Sequence, residues 1–168
     1  MKILNYISKR IDRFIDKVGM ISSYLIIILI ILIFTSVFLR YLFSIGFVWL
    51  QDLYIWCHAS VILLGIAFTL KNDGHVRIDL FYRNASKKYK NLINLLGYIF
   101  LSLPFCFLLI FKSYEYFHRS YLLLESSKET GGLPAVYILK FLIFFMGLTL
   151  LMQIVSQIIK IISSKKWK

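Results

Sequence analysis

Two ionisable side chains stand inside a run that is otherwise apolar. Asp52 follows Val48-Trp49-Leu50-Gln51, and His58 comes six residues later, in a stretch that stays apolar as far as Leu70. A carboxylate held in hydrocarbon is costly unless it is paired, hydrated or close enough to reach the boundary. Such a residue is either a proton or cation site or a structural contact. Asp52 lies about one helical turn inside the boundary, which favours a shallow contact to a Lys or Arg of a neighbouring helix or subunit. His58 is deeper, and could be a ligand or a proton relay. A bis-histidine haem needs a second imidazole at the same depth, whereas His75 and His118 fall outside the apolar runs, on opposite sides. Paired carboxylates, an HExxH helix and a Ser/His/Asp set are all missing from the apolar runs, so no catalytic residue, metal or cofactor is expected and the chain reads as a non-enzyme. Cys57 and Cys106 form no CxxC pair and lie in apolar runs, where the thiolate is disfavoured, so they read as packing residues.

The apolar run ends in Lys71-Asn72-Asp73-Gly74-His75-Val76-Arg77-Ile78-Asp79-Leu80-Phe81. Asn-Asp-Gly is turn chemistry and should stop the helix. Beyond it His75, Arg77 and Asp79 alternate with Val76, Ile78 and Leu80. That alternation suits an extended strip along a headgroup boundary, a strip docked on a partner, or an ordinary solvated loop.

The elements that must position these residues follow from composition. The chain has 168 residues, 60% hydrophobic and 17% aromatic, and a water-soluble domain of this size could not hide that much apolar surface. The expected class is an all-α integral membrane protein. Its net charge of +12 sits at the ends of apolar runs, which fits membrane orientation and phospholipid headgroups and argues against nucleic acid as a partner. The long charged start, the long first apolar run and the lack of a small-x-small site argue against a cleavable signal peptide.

Residues 1–18 place Ile3, Leu4, Ile7, Ile11, Phe14, Ile15 and Val18 on one helical face and Lys, Arg and Asp on the other, predicting an amphipathic helix in the headgroup plane rather than a plain extension of the first span. Spans are expected over 19–40, 48–70, 91–111 and 134–160, each near the twenty or so residues needed to cross about 30 Å of hydrocarbon. The turn between the first two is short, so they form an antiparallel hairpin. The 71–90 loop leads to Ser86, a good N-cap for the third helix. Pro104 should kink that helix, whose pattern runs on through Tyr121. Before Gly19 there are five Lys and Arg residues, six lie between Lys71 and Lys90, four from Lys160 onward, and five on the opposite side. This places both termini and the 71–90 loop in the cytoplasm. No internal repeat of the kind that builds a self-contained transporter is visible.

The run W-x-Q-D-L at Trp49–Leu53, then Gly65, then Asn72-x-Gly74-His75-Val76-Arg77-Ile78-Asp79, resembles the small membrane subunit of TRAP transporters, the DctQ type. Glu125-x-Ser127, Gly132-Leu133-Pro134-Ala135, Lys140 and Gln153 are similar to that family too, and lean toward its mannitol/chloroaromatic-type branch. Asp52 departs from the pattern, which usually has the longer Glu there. The resemblance implies a bacterial inner-membrane, tripartite, sodium-driven uptake system for organic acids. Its large membrane subunit and its periplasmic substrate-binding protein are the expected partners. The small subunit would be a static scaffold for an elevator, binding neither substrate nor sodium. On that reading Trp49, Gln51, Asp52, His75, Arg77 and Asp79 are the candidate contacts to the large subunit or to lipid headgroups. The rivals are a self-sufficient, homo-oligomeric small transporter with Asp52 as its coupling site, and a four-helix membrane redox protein using His58.

Overall fold

The computed structural model describes residues 2–75, 82 and 85–163. Four helices are long and apolar enough to cross a membrane: α1 (Lys2–Phe43), α2 (Val48–Lys71), α3 (Lys87–Leu122) and α4 (Tyr137–Ser163). Four such helices are what an all-α chain with four spans requires. The amphipathic segment is helical from Lys2 but has no break at Gly19, so α1 is a single helix of 42 residues. At 1.5 Å per residue it is about 63 Å long, roughly twice the thickness of hydrocarbon. Its amphipathic face divides. Ser8, Ile15, Val18, Gly19 and Ser22 turn inward, while Ile3, Leu4, Ile7 and Phe14 stay exposed.

Three helices end on a non-glycine residue in the left-handed region: Ser44 after α1, Asp73 after α2 and Leu124 after α3. In each case the next amide bonds back to the helix, Ile45 to the Leu39 carbonyl six residues earlier, and Gly74 to Thr69 and Glu125 to Ser120 five residues earlier. This closure uses carbonyls that the helix would otherwise leave unpaired. The Asn-Asp-Gly turn thus stops α2 as expected. Ser86 caps α3, its hydroxyl accepting from the Tyr89 amide at 3.3 Å.

The irregularity expected at Pro104 takes the form of a π turn over Tyr98–Ser102, with the Leu103 amide bonded to the Tyr98 carbonyl five residues back. The widened turn lies immediately before the proline, whose ring and missing N–H disrupt the ordinary ladder. The helix then runs on to Leu122, one residue past the expected end.

α4 packs against the other three helices, and α1 packs along α2. The interior is small and mixes polar groups with apolar ones such as Ile15, Leu50 and Ile154. Ser22, Ser113, Ser120, Thr149, Gln153 and Ser156 are buried, while most large Ile, Leu and Phe side chains face out. Lipid tails accept apolar side chains as readily as a core does, so membrane helices associate through small residues and hydrogen bonds. Accordingly, Ser22 donates to the Val61 carbonyl at 2.8 Å between α1 and α2. Gly19 lies so close to α2 that a Cβ there would stand 2.4 Å from the Phe68 ring. Gly147 of α4 similarly admits Ile110 of α3, which would lie 2.9 Å from an added Cβ. Near the connection between them, α3 and α4 interleave aromatic rings in antiparallel register. Tyr114 meets Phe144, Phe117 meets Phe141 and Tyr121 meets Tyr137, with centroids 5.6, 5.3 and 5.5 Å apart.

Candidate functional site

Asp52 sits in the second turn of α2, and its carboxylate points at the α3–α4 connection. Its Oδ2 accepts from the Leu133 amide at 2.9 Å. The expectation of a Lys or Arg on a neighbouring helix is corrected within the chain: Asp52 holds a backbone amide there. Around it the connection folds on itself, with the Ser127 amide on the Leu133 carbonyl at 2.9 Å and the Gly132 amide on Glu129 at 3.0 Å. Gly132 is required here, because a Cβ would lie 2.4 Å from Ser127 Oγ and 2.5 Å from Asp52 Oδ2.

Beside this clasp lies a second one. Glu125 Oε2 takes the Lys140 ammonium at 2.5 Å and the Ser120 hydroxyl at 2.6 Å. Lys140 Nζ also sits 3.9 Å from the centroid of the Tyr116 ring. Lys140 is 9% exposed and Ser120 1%, so a lysine expected to face outward is buried between a carboxylate and a ring, which compensate its desolvation. The ammonium of Lys140, then the Ser120 hydroxyl, holds the Glu125 carboxyl below the usual carboxylate range. The spacing Glu125…Lys140 was visible as a sequence motif, but its pairing across the turn was not.

At the other end of the bundle, α1 is tied to α2 and α4. Asp12 Oδ1 accepts from Ser156 at 2.8 Å, and its Oδ2 pairs with Lys160 at 2.7 Å. Ser8 and Ser156 share a hydrogen bond of 2.8 Å. Asp16 pairs with Lys71 at the end of α2. Gln153 is fully buried, reaches Asp12 with its amide nitrogen at 3.5 Å, and leaves its Oε1 without a partner among the described residues. Helical periodicity assigned Asp12 and Asp16 to the solvated arc. Four residues apart, they instead share the face that meets α2 and α4.

The remaining candidate residues are dispersed. Trp49 is 45% exposed and lies against Phe47, with centroids 5.7 Å apart. Gln51 is exposed and opens on a small cleft that also holds Ser36, Arg40 and Tyr54. His58 is exposed on α2, with no bond to Asp52 and no hydrogen-bond partner among the described residues. His75 follows the turn and lines an apolar cavity of about 550 Å³ with Leu70, Ser102 and Cys106. Arg77 and Asp79 lie outside the described residues. Among the described residues no group of three or more His, Cys, Asp or Glu could hold a metal. His118 stacks on Tyr114 rather than approaching His58. Asp52, Glu125 and Lys140 at one end of the helices, and Asp12, Asp16, Lys71 and Lys160 at the other, thus form two sets of ties.

Residues 29–164 match the family described as tripartite ATP-independent periplasmic transporters, DctQ component. The C4-dicarboxylate TRAP transporter small permease protein DctQ of Vibrio cholerae serotype O1 (strain ATCC 39315 / El Tor Inaba N16961) is 25% identical over 134 residues. That stretch is 79% of this chain and 57% of the relative, so the chain spans less than two thirds of that protein's length.

Proposed function

The chain belongs to the DctQ-component family of tripartite ATP-independent periplasmic transporters, and from that premise we propose that it is the static scaffold of such a system, supporting a large membrane subunit in sodium-coupled uptake of an organic acid. The relative's name specifies C4-dicarboxylates, and a small dicarboxylate is the substrate class this reading takes first. The large subunit carries the substrate and the sodium; a periplasmic binding protein delivers the substrate. The small subunit lies in the inner membrane, with the Asp12 end facing the cytoplasm and the Asp52 end the periplasm.

The observation that carries this reading is how the polar groups are used. Asp52, Glu125, Lys140, Asp12, Asp16, Lys71 and Lys160 are all engaged within the chain, at two levels separated by the length of the helices. A transport pathway needs polar groups free to exchange partners along its course. These ties instead hold four helices at fixed depth, which suits an element that must stay still while its neighbour moves. Aromatic and basic belts at both faces further resist sinking and tilt.

The experiment is co-purification. The tagged chain, co-expressed with a large TRAP membrane subunit from the same organism, should bring that permease down in a stable complex from detergent. Recovery of the chain solely as a homo-oligomer, with the permease expressed but absent, would overturn the scaffold reading.

A further inference from the structure

Beyond the interfacial Trp49, the most exposed positions along the spanning part of α2 form a single stripe: Gln51, Ile55, His58 and Ile62. Their spacing of four, three and four residues keeps them on one helical face. The rest of α2 from Val48 to Lys71, Trp49 apart, is at least partly covered by α1 and α4. His58 lies nine residues beyond the interfacial Trp49, about 13 Å deeper at the helical rise, near the middle of the hydrocarbon. From there an imidazole cannot snorkel to the headgroups, and lipid tails offer it no hydrogen bond.

The other outward faces at this depth are of a different kind. α1 presents Ile26, Ile27, Ile30, Ile31 and Phe34, and α3 presents Phe107, Leu108 and Phe111. Nearer its two ends, the exposed face of α4 carries Ile138 and Phe141, and Met152 and Val155. The hydroxyl at Thr35 bonds back to its own helix, at the Ile31 carbonyl. Those surfaces suit acyl chains. The α2 stripe suits protein.

We infer that the Gln51–Ile55–His58–Ile62 stripe is the face against which a spanning helix of the large subunit packs, that helix presenting a hydrogen-bonding group at the depth of His58. The inference rests on the scaffold reading and says which surface of the scaffold does the work. Ile55 and Ile62 supply apolar packing on either side of the imidazole, and Gln51 supplies a second polar contact near the outer boundary. A lone membrane hydrogen bond is modest in strength, so the contact sets register and orientation more than total affinity.

The test places a photo-reactive amino acid singly at positions 55, 58 and 62, and as controls at Ile30 of α1 and at Phe107 and Phe111 of α3. Each variant is co-expressed with the large permease and irradiated in native membranes, and adducts are identified by mass. Positions 55, 58 and 62 should give adducts to the permease, and the controls should give lipid adducts. In parallel, His58→Leu should weaken permease association roughly three- to fifteen-fold, the span of measured membrane side-chain hydrogen bonds, while His58→Gln retains most of it. Permease adducts from the α1 or α3 controls, with lipid adducts from α2, would overturn the assignment of the face while leaving the scaffold reading standing. Adducts from position 58 to a second copy of this chain would overturn it too. If the permease fails to associate even with the unsubstituted chain, the scaffold reading itself falls, and the inference with it.

Discussion

Replacing Asp52 with alanine should loosen the connection between α3 and α4 before it changes anything within the spans. The carboxylate of Asp52 accepts from the Leu133 amide at 2.9 Å, a bond to a charged acceptor. Such bonds contribute about 1.5–3 kcal/mol, and the lower end applies here because Leu133 is only partly buried and water can replace the lost partner. A loss of about 1.5–2 kcal/mol corresponds to roughly ten- to thirty-fold more frequent opening of the turn. Hydrogen exchange on a peptide covering 127–136, measured in lipid nanodiscs, reads this directly. Asp52→Ala should speed exchange at Leu133 and neighbouring amides by that factor, while a peptide from the middle of α4 exchanges as before. Asp52→Asn keeps a neutral oxygen acceptor and should fall between the two. If Asp52→Ala leaves exchange unchanged within about twofold yet abolishes the sodium dependence of uptake, Asp52 is a coupling group and the clasp is incidental.

Gly19→Val should lower thermal stability in detergent by about 1–3 kcal/mol, the range for overpacking, because the Phe68 Cβ as well as its ring lies within 2.9 Å of an added Cβ. An unchanged melting temperature would contradict the close α1–α2 approach. Asp12→Ala should cost about 1–3 kcal/mol in the same assay by stranding Ser156 and Lys160, and Asp12→Asn should recover part of it by still accepting from Ser156. Glu125 has a folded-state pKa held below its ordinary value of 4.5 by Lys140 and Ser120. Its stabilisation is therefore complete above that value and is lost as pH falls through the lower folded value. Limited proteolysis of the connection should accelerate on acidification below about pH 4.5 in the parent chain, and should be fast and less sensitive to pH in Glu125→Gln.

The spans were readable because hydrocarbon imposes a length and tolerates few charges, and both show in a run such as Met20–Leu39. Helix ends were readable where local chemistry sets them, as at Ser86 and Asn72-Asp73-Gly74. The ties were not. Asp52 contacts a backbone amide 81 residues away in the chain, and a backbone amide leaves no trace in residue type. Asp12 and Asp16 belong to the polar arc of an amphipathic helix, so periodicity sent them to solvent; only the arrival of Lys71 and Lys160 on that face reverses the assignment. Lys140 counted as an outward-facing cation, because a residue count is blind to the Glu125 carboxylate that makes its burial tolerable. The exposure of His58 could not be foreseen either. Which face a helix turns outward depends on what packs against the other sides, and an almost uniformly apolar helix such as α2 offers no amphipathic signal to read.

Reconstitution of this chain, alone and with the large permease, into liposomes bearing an inward sodium gradient bears most directly on its role. With the binding protein and a radiolabelled C4-dicarboxylate supplied outside, uptake should appear in vesicles holding both membrane subunits. Vesicles holding this chain alone should show no uptake above protein-free vesicles, with or without the binding protein. Sodium-dependent accumulation by this chain alone would contradict the scaffold role and make Asp52 and His58 candidates for a pathway within it.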